Sequence, residues 1–292
     1  MTTLLDTPQQ ASRWCQRQRD TGKSIGYVPT MGALHDGHLS LVRRSVSEND
    51  ITCVSIFINP LQFNNPEDLE SYPRSMESDL VMLQEAGCDM VYTGSLETFF
   101  PDQTSSLENS VPVEPVKLRG LEADCRPGHL EGVKAIVERL FATVGQCSAY
   151  FGEKDFQQTL LVKDIANRHG EIDVVVCPTV RETSGLAMSS RNQRLSTAAL
   201  ELASCLYQAL VEADNAWRQG ERNPLRLEQL MQDKLDRPGI EIEYATVRDP
   251  LNWTIDTPTH LNDSAQALIA AYIDGVRLID NLALGSCGCS ES

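Results

Sequence analysis

The 292-residue chain has no apolar run close to the roughly 20 residues of a membrane span. Its opening, "MTTLLDTPQQ", has neither a basic start nor an apolar core, so no secretory signal is expected. No GxxxxGK[ST] loop occurs, which excludes the Walker type of phosphate cradle. Cations are scarce: 25 Lys and Arg stand against 41 Asp and Glu, for a net charge of −16. Nucleic acids and anionic membranes call for a basic face, so neither is an expected partner. CxxC pairs are missing as well. The nine cysteines are odd in number and scattered, which suits free thiols in a reducing, cytoplasmic setting rather than a disulfide framework. Two of them, Cys287 and Cys289, sit in the tail "GSCGCSES", which reads as a frayed terminus rather than a metal site. Internal repeats and low-complexity tracts are also absent.

What the chain does have is alternation. Thr7-Pro8 reads as a cap and first helical position, opening a helix to about Asp20. "SIGYVPT", "ITCVSIFI", "DMVYTG", "AYF" and "IDVVVCP" read as strands. Between them, "HLSLVRRSVSEN", "SMESDLVMLQEAG", "HLEGVKAIVERLFATV" and "DFQQTLLVKDIANRHG" read as helices, the second stopped by Gly87. In the third, Leu130, Val133, Val137, Leu140, Phe141 and Val144 repeat with the period of one buried helix face. Residues 94–128 predict loops and short strands. Strands alternating with helices of this length predict an α/β fold with a doubly wound parallel sheet over residues 1–182. A long helix from Thr197 to Gly220, a shorter helix and three late strands predict a smaller α+β domain over 183–292, with "PTVRETSGLAMSSRN" as the hinge.

Residues 29–38, "PTMGALHDGH", place two histidines and two glycines where a strand hands over to a helix. In an open parallel sheet, ligands bind beyond the carboxyl ends of the strands, at helix N-termini. Gly32 and Gly37 let backbone approach a phosphate, and a helix starting near Asp36 would turn His35 and His38 to one side. Two imidazoles there can donate to a triphosphate and to the charge of departing pyrophosphate. By itself the pair is equally compatible with surface or capping histidines, and two zinc ligands would lack a third. "YFGEKDFQQ" offers a second such junction, with Lys154 as a point charge for phosphate and Asp155 as a helix cap. "GLAMSSRN" bunches Ser189, Ser190 and Arg191 as a third.

Taken with "SIFINPLQFNNPEDLESYPR", "RPGHLEGV" and "VRLIDNLAL", these segments resemble the pantothenate synthetase (pantoate–β-alanine ligase) family, in family order and over nearly the whole chain. The resemblance implies a Rossmann-like nucleotide- and pantoate-binding domain. It also implies ATP-dependent condensation of pantoate with β-alanine to pantothenate, AMP and pyrophosphate through a pantoyl adenylate. Carried over by motif, Met31, Gly32, Ala33, Leu34, His35, Asp36, Gly37 and His38 cradle ATP, with His38 as proton donor and His35 and Lys154 beside it in catalysis. Gly152, Glu153, Lys154, Asp155, Val180, Met188, Ser189, Ser190 and Arg191 are implied ATP contacts too. Gln62 would hold pantoate and adjoin β-alanine, and Gln158 would hold pantoate from the other side. Magnesium is implied with ATP, with Asp79 as its protein contact, and Tyr72 and Arg126 would line the site. The family further implies a homodimer. The alternatives are another HxGH enzyme acting on a different small acid, or a nucleotide-binding regulator without chemistry.

Overall fold

The computed structural model describes residues 2–101 and 119–286. The expectations for residues 103–115 and for Cys287 and Cys289 lie outside them. The chain divides into two units between Val180 and Arg181, two residues before the expected boundary, and Arg119–Leu121 groups with the second unit.

In the first unit, β1 (Thr3–Leu5) leads into α1 (Pro8–Asp20), where the Thr7 hydroxyl accepts the Gln10 N–H at 3.3 Å. There follow β2 (Ile25–Thr30), α2 (Asp36–Glu48), β3 (Ile51–Ile56), α3 (Pro66–Glu70), α4 (Met76–Glu85), β4 (Met90–Tyr92) and α5 (Leu96–Phe99). After these come α6 (Glu122–Cys125), α7 (His129–Val144), β5 (Cys147–Gly152), α8 (Phe156–His169) and β6 (Ile172–Cys177). Among the described residues of 94–128, the expected short strands are replaced by the helical turns α5 and α6.

The six strands form one parallel sheet in the order β1-β4-β3-β2-β5-β6. Neighbouring residues alternate between its two faces. Tyr27, Cys53, Met90 and Tyr92 pack into the core with residues of α1, α7 and α8, while Val28, Val54 and Val91 pack with residues of α2 and α4. The chain winds one way from β2 through β3 to β4 and the other way through β5 to β6. The switch of direction falls between β2 and β5, which pair only at Gly26–Ser148 and Tyr27–Ala149. Their carboxyl ends are therefore free to open, and a crevice at such a switch point is where open α/β sheets bind ligands.

The second unit packs α9 (Thr197–Arg218) and α10 (Pro224–Leu235) with an antiparallel sheet of β7 (Ile240–Arg248), β8 (Gln266–Ile273) and β9 (Val276–Ala283) around its own apolar core. Among the described residues, no helix is long and apolar enough to cross a membrane.

Candidate active site

The switch point holds two of the three junctions singled out by sequence, those after β2 and β5. After β2 the backbone turns left-handed at Gly32 (φ +82°) and at Ala33 (φ +51°), the latter a conformation that L-residues rarely adopt. Asp79 of α4 makes that turn possible. Its Oδ2 accepts the Ala33 N–H and its Oδ1 the Leu34 N–H, both at 2.9 Å, and Ser75 Oγ donates to Oδ1 at 3.0 Å. Because Ser75 points at Asp79, it caps α4 by position without a cap hydrogen bond.

The turn delivers His35 as the N-cap of α2, its Nδ1 accepting the Gly37 N–H at 3.2 Å. An accepting Nδ1 puts the ring proton on Nε2, where it can be donated outward. His38 follows one turn later, its ring centroid 4.1 Å from that of His35. Among the described residues His38 Nδ1 is buried with no hydrogen-bond partner. Burial, then the Lys154 ammonium, push the His35 pKa down to about 4. Burial, then His35 and Lys154, push His38 down to about 3. Lys154 arrives from the turn after β5, whose Glu153 N–H is tied to the Cys177 carbonyl of β6 at 2.8 Å. Thus β2 and β5 bring the two imidazoles and one ammonium within electrostatic reach. Both rings are neutral at pH 7 in the free protein, so each is a hydrogen-bond donor there and not yet the acid expected of His38.

Gln62 ends a short 3-10 turn, Pro60–Gln62, and its amide reaches back to the same loop. Its Nε2 donates to Met31 Sδ at 3.0 Å and its Oε1 accepts from Asn59 Nδ2 at 3.1 Å. Asn59 Nδ2 also donates to the Gly132 carbonyl of α7 at 3.0 Å. The buried His129 ring sits under the Gln62 backbone, Nδ1 lying 2.7 Å from its carbonyl oxygen and Nε2 lying 3.0 Å from Arg126 Nη1. A guanidinium only donates, so Nε2 accepts and Nδ1–H is given to Gln62. Burial, then Arg126, lower the His129 pKa to about 4, consistent with that neutral ring. Gln158 is half-buried on the first turn of α8, and Tyr72 is buried with its ring edge-on to Phe63. Asp155 occupies the N-cap of α8 but makes no side-chain cap hydrogen bond, contrary to expectation.

Val180 is the half-buried last residue of the first unit, and Met188 to Arg191 belong to the second. There Ser189 Oγ accepts the Arg191 N–H at 3.3 Å, capping a 3-10 turn over Ser190–Arg194, and Ser190 is buried.

Asp79, expected as a magnesium contact, spends its bonding on the loop. The carboxylate is 1% exposed and already serves two backbone amides and a hydroxyl. Among the described residues, no group of three or more His, Cys, Asp or Glu could hold a metal ion.

The chain matches the family described as pantoate-beta-alanine ligase over residues 3–283. It is 43% identical over 288 residues to the pantothenate synthetase of Rubrobacter xylanophilus, covering 97% of this chain and 98% of that one. The chain belongs to the pantoate–β-alanine ligase family. Like other members, it is a ligase that joins pantoate to β-alanine. The crystal structure of the Thermus thermophilus pantothenate synthetase superposes with a TM-score of 0.88 at 36% identity, over 96% of this chain and 99% of that one. The Francisella tularensis ligase, in a structure complexed with β-γ ATP and β-alanine, gives a TM-score of 0.77 at 33% identity, over 97% of each chain.

Against this family frame, sequence reasoning passed over Asn59, His129, Gly132 and Ser75, which touch the site residues from behind. Asn59 and His129 stood inside quoted motifs. An isolated glycine in a helical pattern was the available signal for Gly132.

Proposed function

We propose that the first unit binds ATP and pantoate at the β2–β5 switch point and makes pantoyl adenylate there, which β-alanine then converts to pantothenate. A pantoate carboxylate oxygen attacks the α-phosphorus, the bond to the β-phosphate breaks, and pyrophosphate leaves. The β-alanine amine next attacks the acyl carbon, loses a proton, and AMP departs. No protein nucleophile is needed, so catalysis rests on positioning and on charge.

In this reading the His35 and His38 rings and the Lys154 ammonium receive the phosphates at the positive end of the α2 dipole, with Met31–His38 and Gly152–Asp155 as the cradle. Charge grows on the departing pyrophosphate, and donors fixed in place stabilise that charge more than they stabilise bound ATP. Gln62, held by Asn59 and His129, receives pantoate and adjoins β-alanine, and Gln158 receives pantoate from α8. By motif, Val180 and Met188, Ser189, Ser190 and Arg191 are assigned to ATP as well. Magnesium comes with the ATP phosphates. The enzyme is read as a cytoplasmic homodimer.

The observation that supports this most is the pair of neutral imidazoles, their centroids 4.1 Å apart and both depressed by burial with a further push from Lys154, where the sheet reverses its winding. The test is incubation with ATP, magnesium, pantoate and β-alanine, omitting each in turn. AMP should form with pantoate but without β-alanine in single turnover, and pantothenate only with all four. AMP release indifferent to pantoate would sink the reading.

A further inference from the structure

Asp79 combines three features that a metal contact does not need. Both oxygens face backbone N–H groups, it is braced by Ser75 from its own helix, and the amides it holds flank a left-handed alanine. A Cβ on Gly32 would stand 3.0 Å from Asp79 Oδ2, so the carboxylate packs against the loop where only glycine fits. Magnesium retains several waters in a tight octahedron. A side chain 1% exposed has no room for a hydrated ion.

We propose that Asp79 is a positioning residue: braced by Ser75, it holds the Gly32–Ala33–Leu34 backbone in the turn that makes His35 the cap of α2 and sets His35 and His38 side by side, and it does so without a metal. Non-glycine residues keep a positive φ only where the surroundings enforce it. Asp79 is the enforcement. Without it the turn relaxes, His35 loses its capping geometry, and the imidazoles drift from the place where phosphate charge develops. The kinetic consequence rests on the proposed function of residues 31–38, whereas the structural one stands apart from it.

The experiment compares wild type, Asp79→Asn, Ala33→Gly and the double variant. An asparagine of the same size turns an NH₂ group toward an N–H donor, so one loop bond is lost and two donors face each other. In EDTA and without ATP, Asp79→Asn should melt several degrees below wild type. A metal contact removed from metal-free protein leaves the melting temperature unchanged or raises it, and either result would overturn the proposal. In the adenylation half-reaction the maximal rate should fall roughly 10²-fold, the effect of an ångström-scale misplacement, with the half-saturating magnesium concentration unchanged. Recovery of the rate at high magnesium would overturn the proposal too.

Ala33→Gly removes the strain that Asp79 offsets, since glycine takes a positive φ freely. The Asp79→Asn rate loss should therefore be at least about threefold smaller in that background, a coupling of the kind double-mutant cycles report for contacting residues. Equal losses in both backgrounds would count against it. Ser75→Ala removes only the brace and serves if Asp79→Asn does not fold: it should lower melting temperature and rate more mildly, and any shift in magnesium requirement would again be contrary. If wild type forms no AMP at all, the proposed function fails while the metal-free melting comparison still decides the role of Asp79.

Discussion

Replacing Gly132 with alanine separates a helix-propensity argument from a packing argument, because the two give opposite signs. In an ordinary helix interior, Gly→Ala stabilises by about 0.5–1 kcal/mol. At Gly132 of α7, however, a Cβ would lie 2.1 Å from the Leu61 carbonyl oxygen, 2.4 Å from its carbon and 2.6 Å from the Gln62 nitrogen. All three are backbone atoms, so no side chain can rotate away. Reaching even a tight contact of 3.0–3.4 Å requires the Leu61–Gln62 peptide to retreat by about 1 Å. That peptide is pinned by His129 at the Gln62 carbonyl and by Asn59, which joins the Gln62 amide to the Gly132 carbonyl. Overpacking of this kind costs about 1–3 kcal/mol, with about 1 kcal/mol more for each hydrogen bond lost. Gln62 is the proposed pantoate ligand, and misplacement by an ångström costs about 10²-fold in rate. Gly132→Ala should therefore lower the melting temperature, lower kcat/KM for pantoate about 10²-fold, and leave ATP affinity within about threefold, since Lys154 and the histidines are not displaced. Steady-state kinetics in each substrate and a melting curve suffice. A stable variant with wild-type pantoate kinetics would refute the packing argument.

Two further outcomes follow from electrostatics. Lys154 depresses both site histidines, so Lys154→Ala should raise their pKa values in an NMR titration, with the melting temperature nearly unchanged and adenylation slowed by roughly 10²–10³, as for loss of an oxyanion donor. His129 is held near pKa 4 against an ordinary 6.5, so between those values the unfolded chain binds a proton that the folded chain refuses. Stability is therefore full above pH 6.5 and declines as pH falls toward 4, by about 2 kcal/mol at pH 5 for this group. His129→Gln should flatten that part of a denaturant midpoint-versus-pH curve, and an unaltered slope would show that His129 is not the titrating group.

The fold was legible because its signals are local. Strand runs, caps and stopping glycines are written in neighbouring residues, and the HDGH junction lies where β2 meets α2. What supports the junction was not legible. Asp79 is 46 residues from Ala33, and His129 is 67 from Gln62. Periodicity says which face of an element is apolar, never which loop another element will hold. The stripe of six predicted for α7 is too narrow for the same reason. The Pro60–Gln62 turn, α1 and α8 all pack on that helix, so Lys134, Ala135 and Ile136 are buried as well. An acidic residue near phosphates suggests a metal contact, which is how Asp79 reads in sequence. Its bonds to the loop carry the other role proposed above.

The depressed histidines also bear on how an acidic protein prepares for a polyanion. Two imidazolium ions and an ammonium in contact, with no phosphate between them, would be self-repelling. Here burial and Lys154 discharge both rings, leaving one fixed positive charge and two neutral donors. In the proposed function ATP changes the balance, because its phosphate charge opposes Lys154 and favours protonated imidazole. Both pKa values must then climb back from about 4 and about 3. In the proposed function, an imidazole neutral in the free enzyme becomes an acid when the triphosphate arrives. The consequence is measurable proton uptake on ATP binding. At pH 6 the free rings are neutral, so uptake should reach an appreciable fraction of one proton; at pH 8 it should fall toward zero unless a bound-state pKa exceeds that pH. Calorimetric titration with a non-hydrolysable ATP analogue, in buffers of different ionisation heat, reads the number directly. Lys154→Ala should not reduce it, since burial still depresses the free rings and the phosphate charge then acts on them without the opposing ammonium. No uptake at pH 6, in wild type or in Lys154→Ala, would mean that the rings are not the groups that answer the phosphate.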